Sequence, residues 1–439
     1  MGTGANDQTN PALPELLNQL VDKLKKKQLT ISEILPIFSQ DKNNKSTNNP
    51  EIHTLLKQMI DNTHHNSNIA TSKVQNLFQQ FIEEKVKSGI SSAEITSLLT
   101  QITKKAEKNT LTAAELSALW LQYLGDSMAI CVYKYFLNIV EDEEIKSILE
   151  LSLQLSEGHI AKITEFLESE NYQIPLGFTE KDVNLNAPRL FTDSFLLFYS
   201  YIMAIHGLTA YSLAITNSER QDIQNYFYEC LVTSKDLFQK IVNLAKNQPF
   251  YSSVPTIPSS HEVEFVDSTG IISNLFGDKR PLNSSEISNL FFNSKKTGFV
   301  RSLSLAFSQV AELEEVRKFM VKNVELSGKD AESFNTILQQ DHLPIPESWD
   351  AEITDSKVSP FSDKLMVFHA AFLVNAALSY YGASIGASLR SDIILNYEKV
   401  LNHAMHAGST CYKIMVKYGW LEKQPEAIDR KSLAQDSEK

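Results

Sequence analysis

Three cysteines in 439 residues, Cys131, Cys230 and Cys411, stand far apart and in no pairing motif. That excludes a disulfide framework and points to a reducing compartment. Positive charge is also short, 41 Lys and Arg against 53 Asp and Glu, for a net charge of -12. The balance argues against nucleic acid as a partner, because phosphate binding needs clustered Lys and Arg, and it disfavours anionic membrane surfaces. No phosphate-binding glycine loop occurs, and no Gly-x-Ser-x-Gly nucleophile motif is expected. The opening MGTGANDQTNPALPELL has no basic segment followed by an apolar one, so no secretory signal is visible. Asn6 stands where myristoylation wants Ser or Thr. The expected location is cytoplasmic.

What is present is a repeat. LTAAELSALW, from Leu111, reads against LNSSEISNLF, from Leu282, an offset of 171 residues. At the same offset Glu141–Lys146 (EDEEIK) meets Glu312–Arg317 (ELEEVR), and Phe178 meets Trp349. One deletion then shortens the offset to 170: Phe191–Tyr199 faces Phe361–His369, and Arg220-Gln221-Asp222-Ile223 faces Arg390-Ser391-Asp392-Ile393. Two copies are too few for a solenoid, so the chain carries a duplicated domain.

Each copy reads as four helices. Thr112-x-x-Glu115 and Asn283-x-x-Glu286 have the form of capping boxes, and Leu116, Leu119, Trp120, Tyr123 and Leu124 recur at helical spacing. The acids of EDEEIK suit the start of a second helix, running to about Asn171. A third is predicted over 192–217 and a fourth over 219–246, and the plan repeats to about Lys417. The link between helices two and three is long, about 19 residues and able to span roughly 60 Å. A helix of about 30 residues covers roughly 45 Å. The linker can therefore run the length of a bundle and start helix three parallel to helix two, which is the ferritin-like pattern.

The third helices, SFLLFYSYIMAIHGLTAYSLAITNS and LMVFHAAFLVNAALSYYGASIGASL, carry no Asp, Glu, Lys or Arg. By length each could span a membrane, but their His, Ser, Asn and Tyr content and the absence of flanking basic asymmetry favour burial in protein. The expectation is that the bundles pack through these helices, with Gly382, Ala383, Gly386 and Ala387 allowing close approach and Ala370, Ala376 and Ala383 on a helix more than four-fifths buried.

A di-iron site in such a fold needs Glu-x-x-His on two helices, and neither copy has one. His159 follows Glu157 by two residues, on another helix face, and its counterpart is Asp330. His206 matches Ala376, and Tyr199 matches His369. These histidines read as hydrogen-bonded interior or interface groups. His403 and His406, at i, i+3, could share a divalent ion, yet no further ligand completes the set. His64-His65 lies in a polar loop. Cys131 sits in the apolar run MAICVYKYF and packs as a small hydrophobe. No catalytic, cofactor-binding or metal residue is assigned.

The segments GFTEKDVNLNAPRLF, FGDKRPLN, FSDKLMVFHAAFL and GWLEKQPEAIDRK, in that order, resemble a domain-of-unknown-function family of spore-forming bacilli whose members look like two tandem ferritin-like bundles. The resemblance covers about 111–431. It implies a Bacillus-type host, with the mother cell or spore as location, and implies no chemistry.

The resulting expectation is an all-α protein: an N-terminal helical arm (1–109), a first four-helix bundle (110–246), a linker (247–281), a second bundle (282–421) and a polar tail (422–439). The arm's short amphipathic helices, such as LPELLNQLVDKLKKK and KVQNLFQQFIEEKV, need an acceptor surface. The linker suggests one strand at HEVEFV. The function that follows is a non-enzymatic structural or interaction protein, self-associating through the arm as a homo-oligomer or filament or binding another protein. A ferritin-like metal protein or oxidase is the alternative, and a membrane-associated helical protein the weaker one.

Overall fold

The computed structural model describes residues 110–246, 252–259, 262–263, 265–266, 279–430 and 432. The arm, His64-His65 and most of the linker lie outside them. The described residues form eight long helices: α1 (Ala113–Ile139), α2 (Glu143–Ser169), α3 (Asp193–Asn217), α4 (Gln221–Ala245), α5 (Ser284–Val310), α6 (Glu314–Gln340), α7 (Asp363–Ala387) and α8 (Ser391–Lys417). Among the described residues there is no strand; Glu262, Val263, Phe265 and Val266 of HEVEFV have none, and Val263 and Phe265 are 85% and 91% exposed. The predicted strand fails because these residues have no neighbouring strand to pair with among the described residues.

The chain divides into two compact units, one of residues 1–113 with 163–174, the other of 114–162 with 175–439. In the first, α2 ends at Asn171 in the left-handed region (φ 58°), with Tyr172 N–H donating to Leu167 O at 2.9 Å. In the second, α6 ends the same way at the equivalent residue, His342 (φ 58°), with Leu343 N–H on Leu338 O at 3.0 Å. Asn and His tolerate this conformation better than most residues.

Within the second unit, carboxylates at the helix ends fix the direction of the helices. A helix start leaves N–H groups unsatisfied and carries partial positive charge. Asp193, the first residue of α3, accepts from Glu141 N (3.2 Å) and Asp142 N (2.7 Å), just ahead of α2. Asp363 of α7 accepts from Glu312 N (3.1 Å) and Leu313 N (2.7 Å), just ahead of α6. The second and third helices of each repeat thus start at one end and run parallel. At the other end Glu115 of α1 accepts from Glu219 N (2.9 Å) and Arg220 N (2.8 Å), in the turn between α3 and α4. Glu286 of α5 accepts from Leu389 N (3.0 Å) and Arg390 N (3.1 Å) in the matching turn. The order in each repeat is up, down, down, up, with the long crossover where its length predicts. The Asn283–Glu286 capping box forms with both of its hydrogen bonds.

The crossovers do not stay with their own repeats. Asn184 N–H donates to Pro360 O (2.8 Å), and its equivalent Thr354 donates to Leu190 O (3.0 Å). Thr192 N–H donates to Glu352 O (3.0 Å), and Ser362 N–H to Asp182 O (3.0 Å). Isolated antiparallel bridges join Val183 to Phe361 and Phe191 to Ile353. Aromatic rings follow the same exchange: Phe178 meets Phe368 at 4.9 Å, and Trp349 stacks on Phe198 at 3.8 Å. Each of these contacts has its twin, so the repeats are related by a pseudo-two-fold axis. Tyr199 and His369, equivalent residues, meet on it, OH to Nε2 3.4 Å. One continuous hydrophobic core contains side chains of both repeats.

The expectation for the third helices is half correct. α3 and α7 do meet, through Tyr199 and His369 and through Thr209 and Tyr380 (3.0 Å), and Ala370 is buried. Ala376 is only half-buried, Ala383 is exposed, and a Cβ on Gly382 or Gly386 would meet nothing within 4 Å. Among the described residues the small-residue run is therefore not a close-approach surface. The crossovers cover the first turns of α3 and α7, around Phe198 and Phe368, and the later turns extend past that cover. Both helices are long and apolar enough to cross a membrane by length and composition, with mean hydropathy 1.3 and 44% and 50% of the apolar window buried.

Candidate functional site

The helices carry their polar residues at one level of each bundle interior. In the first bundle His159 Nδ1 lies 3.1 Å from Asp126 Oδ2, and both are buried. Tyr226 OH donates to Gln122 Oε1 at 3.0 Å, and Gln122 Nε2 donates to Tyr211 OH at 3.4 Å. Burial alone would lower the imidazole, but the Asp126 carboxylate reverses this and lifts His159 to about 10.

The second bundle uses the same level with different chemistry. Thr297, Asp330 and Tyr381 occupy the positions of Asp126, His159 and Tyr211. The acid now sits where the first repeat has its histidine, and its partner comes from another helix: His403 Nδ1 on α8 is 2.7 Å from Asp330 Oδ1. Thr297 Oγ1 pairs with Tyr381 OH at 2.7 Å, and Asn293 donates to Ser384 Oγ (2.8 Å) and Tyr397 OH (3.1 Å). Burial raises the Asp330 carboxyl, and His403 opposes it.

Beside this layer lies a cavity of about 50 Å³, walled by Ile202, Phe299, Leu373, Val374 and Ala377 among others, with Lys296, His206, Asp330, His403 and Tyr380 on its lining. Lys296 is 8% exposed, and its Nζ has no hydrogen-bond partner among the described residues. It rests against the ring of Tyr380, 3.1 Å from the centroid, and 4.7 Å from that of Phe292. Burial pulls its amine down to about 6. His206 is also buried; its Nδ1 lies 3.5 Å from Tyr380 OH, and its Nε2 has no partner among the described residues. Burial holds it well below the ordinary histidine range. On the axis His369, fully buried, is lowered by burial to about 3.

Of the residues that sequence reasoning considered, His159 and His206 are the interior and interface histidines expected. His403 and His406 are not brought together: His403 turns inward to Asp330, and His406 is exposed. No group of three or more His, Cys, Asp or Glu that could hold a metal occurs among the described residues. Cys131 donates to Thr179 O at 3.3 Å, and burial raises its thiol to about 12; Cys411 is raised likewise to about 12. Both behave as packed side chains, not nucleophiles.

Gly382-Ala383-Ser384-Ile385-Gly386 does satisfy Gly-x-Ser-x-Gly, so the expectation that the motif is absent is wrong, though no elbow forms there. It lies inside α7, and Ser384 Oγ is spent on Tyr380 O (2.8 Å) and Asn293. An elbow needs a strand-to-helix turn that exposes the hydroxyl.

Sequence reasoning missed Lys296. Its signal was a Lys295-Lys296 pair in a long stretch of α5 otherwise without charge, opposite Gly125 in the first repeat.

These features define a duplicated, all-helical protein whose two four-helix repeats interlock through their crossovers. The chain belongs to the family described as "Protein of unknown function (DUF3231)", which matches it twice, over residues 98–263 and 270–433. A solved structure of a Bacillus halodurans protein, provisionally described as a spore coat protein, is similar at 21% identity; the match covers 35% of this chain and 99% of that one, with a TM-score of 0.31. No curated protein matches at a significant level.

Proposed function

We propose that this chain is a non-enzymatic structural or interaction protein of a spore-forming bacterium, built on two ferritin-like bundles and self-associating through residues 1–109. What supports a structural role is how the bundles spend their ionisable groups. Glu115, Glu286, Asp193 and Asp363 clamp helix ends, and His159 and His403 each close on one acid. In a di-iron bundle those interior positions would instead supply open carboxylate and imidazole ligands. The spore-forming host follows from the family motifs. The arm is the assembly element in this reading because segments patterned as short amphipathic helices require an acceptor surface, and head-to-tail docking between chains gives rings or filaments.

Light scattering on the full chain and on a chain lacking residues 1–109 tests the assembly, with metal analysis of the same preparations. The expected result is a higher oligomer for the full chain and a folded, smaller species for the truncated one, both free of stoichiometric metal. Equal masses would sink assembly through the arm, and stoichiometric iron or manganese would sink the structural reading.

A further inference from the structure

The cavity beside α5 breaks the pseudo-symmetry of the molecule. The equivalents of Lys296, Ile202, His206 and Tyr380 are Gly125, Phe372, Ala376 and Ala210. In that half, a Cβ on Gly125 would lie 3.5 Å from the Phe372 ring, so glycine and phenylalanine pack directly. The same architecture is thus closed on one side by apolar atoms and opened on the other around a lysine. The fold does not require the lysine.

A buried amine with no acceptor is costly, and here a second nitrogen shares the defect. With Nδ1 of His206 facing Tyr380 OH, its Nε2 is left with no partner among the described residues, on the same cavity as Lys296 Nζ. Two nitrogens lack a partner among the described residues, and the cavity lining is aliphatic at Ile202, Leu373, Val374 and Ala377, with Asp330 and His403 as its other titratable groups. The void is large enough for water but too small for a drug-sized ligand.

We propose that this cavity binds a short-chain monocarboxylate, acetate to butyrate, its carboxylate between Lys296 and His206 and its alkyl end against the aliphatic wall. The acid's proton passes to the Lys296 amine, so that a neutral acid and a neutral amine become a buried, hydrogen-bonded ion pair. The low affinity of that amine for protons in the empty cavity makes binding above pH 7 carry proton uptake from solvent when the carboxylate is added as its anion. Tyr380 then has the ammonium against its ring face, where a cation is favoured.

The test uses the full chain with sodium propionate against sodium chloride at equal ionic strength, read by melting temperature and by calorimetry in two buffers of different ionisation enthalpy. The expected result is saturable binding of one propionate per chain, with uptake of up to one proton at pH 8 and a rise in melting temperature. Lys296→Met, which removes the buried amine and keeps the bulk, remains folded and melts higher than the parent without ligand, and loses at least tenfold in propionate affinity. Ala383→Glu, on the exposed end of α7, serves as the control that binds normally. Equal effects from chloride, propionate binding undiminished in Lys296→Met, or no binding at all would overturn the proposal and leave the cavity to water.

Discussion

The two histidine–aspartate pairs illustrate how little a residue's identity says without its surroundings. His159 and Asp330 occupy equivalent positions, and each repeat finds the complementary partner on a different helix, Asp126 on α1 and His403 on α8. The duplication kept the need for a polar pair at this level and exchanged its chemistry. Because Asp126 holds His159 up at about 10 against a free value near 6.5, folding favours its protonated form. The stability this gives is complete below about pH 6.5 and lost as pH rises through 10. Replacing His159 with Gln should therefore cost roughly 3 kcal/mol at pH 6, as expected for a buried charge left without its partner, and almost nothing near pH 10. Thermal melts of both proteins from pH 6 to 10 measure it; a constant difference across that range would mean the pair is not ionised.

At the scale of the helix, the matches that reveal the duplication have a common physical cause. Arg220-x-Asp222 and Arg390-x-Asp392 open α4 and α8 with the same ion pair, the nearest nitrogen–oxygen contacts 2.7 and 2.9 Å, and Arg390 is almost wholly buried. Glu115 and Glu286, and Asp193 and Asp363, perform the same closures in both copies. Those four closures reach 50 to 105 residues along the chain, but the Arg-x-Asp pairs and the Asn283–Glu286 capping box are local, so the helix ends were legible from caps and acids and the crossover from linker length. The interior polar layer was not, since its partners are separated by 33 to 104 residues and only packing brings them together. The end of α7 was misread for a related reason: Gly and Ala permit close approach but do not cause it. Two substitutions separate the cases. Glu286 takes both Arg280 nitrogens at 2.8 Å as well as the turn amides, and although burial would raise its carboxyl, these donors hold it below the ordinary range. Glu286→Gln should cost roughly 2–4 kcal/mol, as a broken buried charge network does. Ala383→Glu, exposed, should change stability by less than about 0.5 kcal/mol. Urea unfolding of both checks the order, and a reversed ranking would show the closure at Glu286 to be dispensable.

On the scale of the whole molecule, the reciprocal crossovers make the repeats parts of one body. An isologous contact pairs each surface with its own equivalent, and Tyr199 against His369, Phe178 on Phe368 beside Trp349 on Phe198, and the twinned backbone bonds at Asn184 and Thr354 all have that form. Such an arrangement is what two separate copies of one repeat would adopt as a dimer; joining them raises their effective concentration without adding contacts. The connection at 247–281 should then be needed for efficient assembly and not for cohesion. A protease site placed within 267–278 tests this. After cleavage the two pieces should co-elute on size exclusion under native conditions and melt in a single transition, because neither half can release the other without exposing Phe178, Phe198, Trp349 and Phe368 together. Their joint removal from water is worth several kcal/mol at about 25 cal/mol per Å². Trp349→Ala in the cleaved protein removes one of the twin stacks and should lower the denaturant concentration at which the pieces part. Separation of the unsubstituted pieces on dilution alone would mean that the covalent link, not the exchanged crossovers, keeps the halves together.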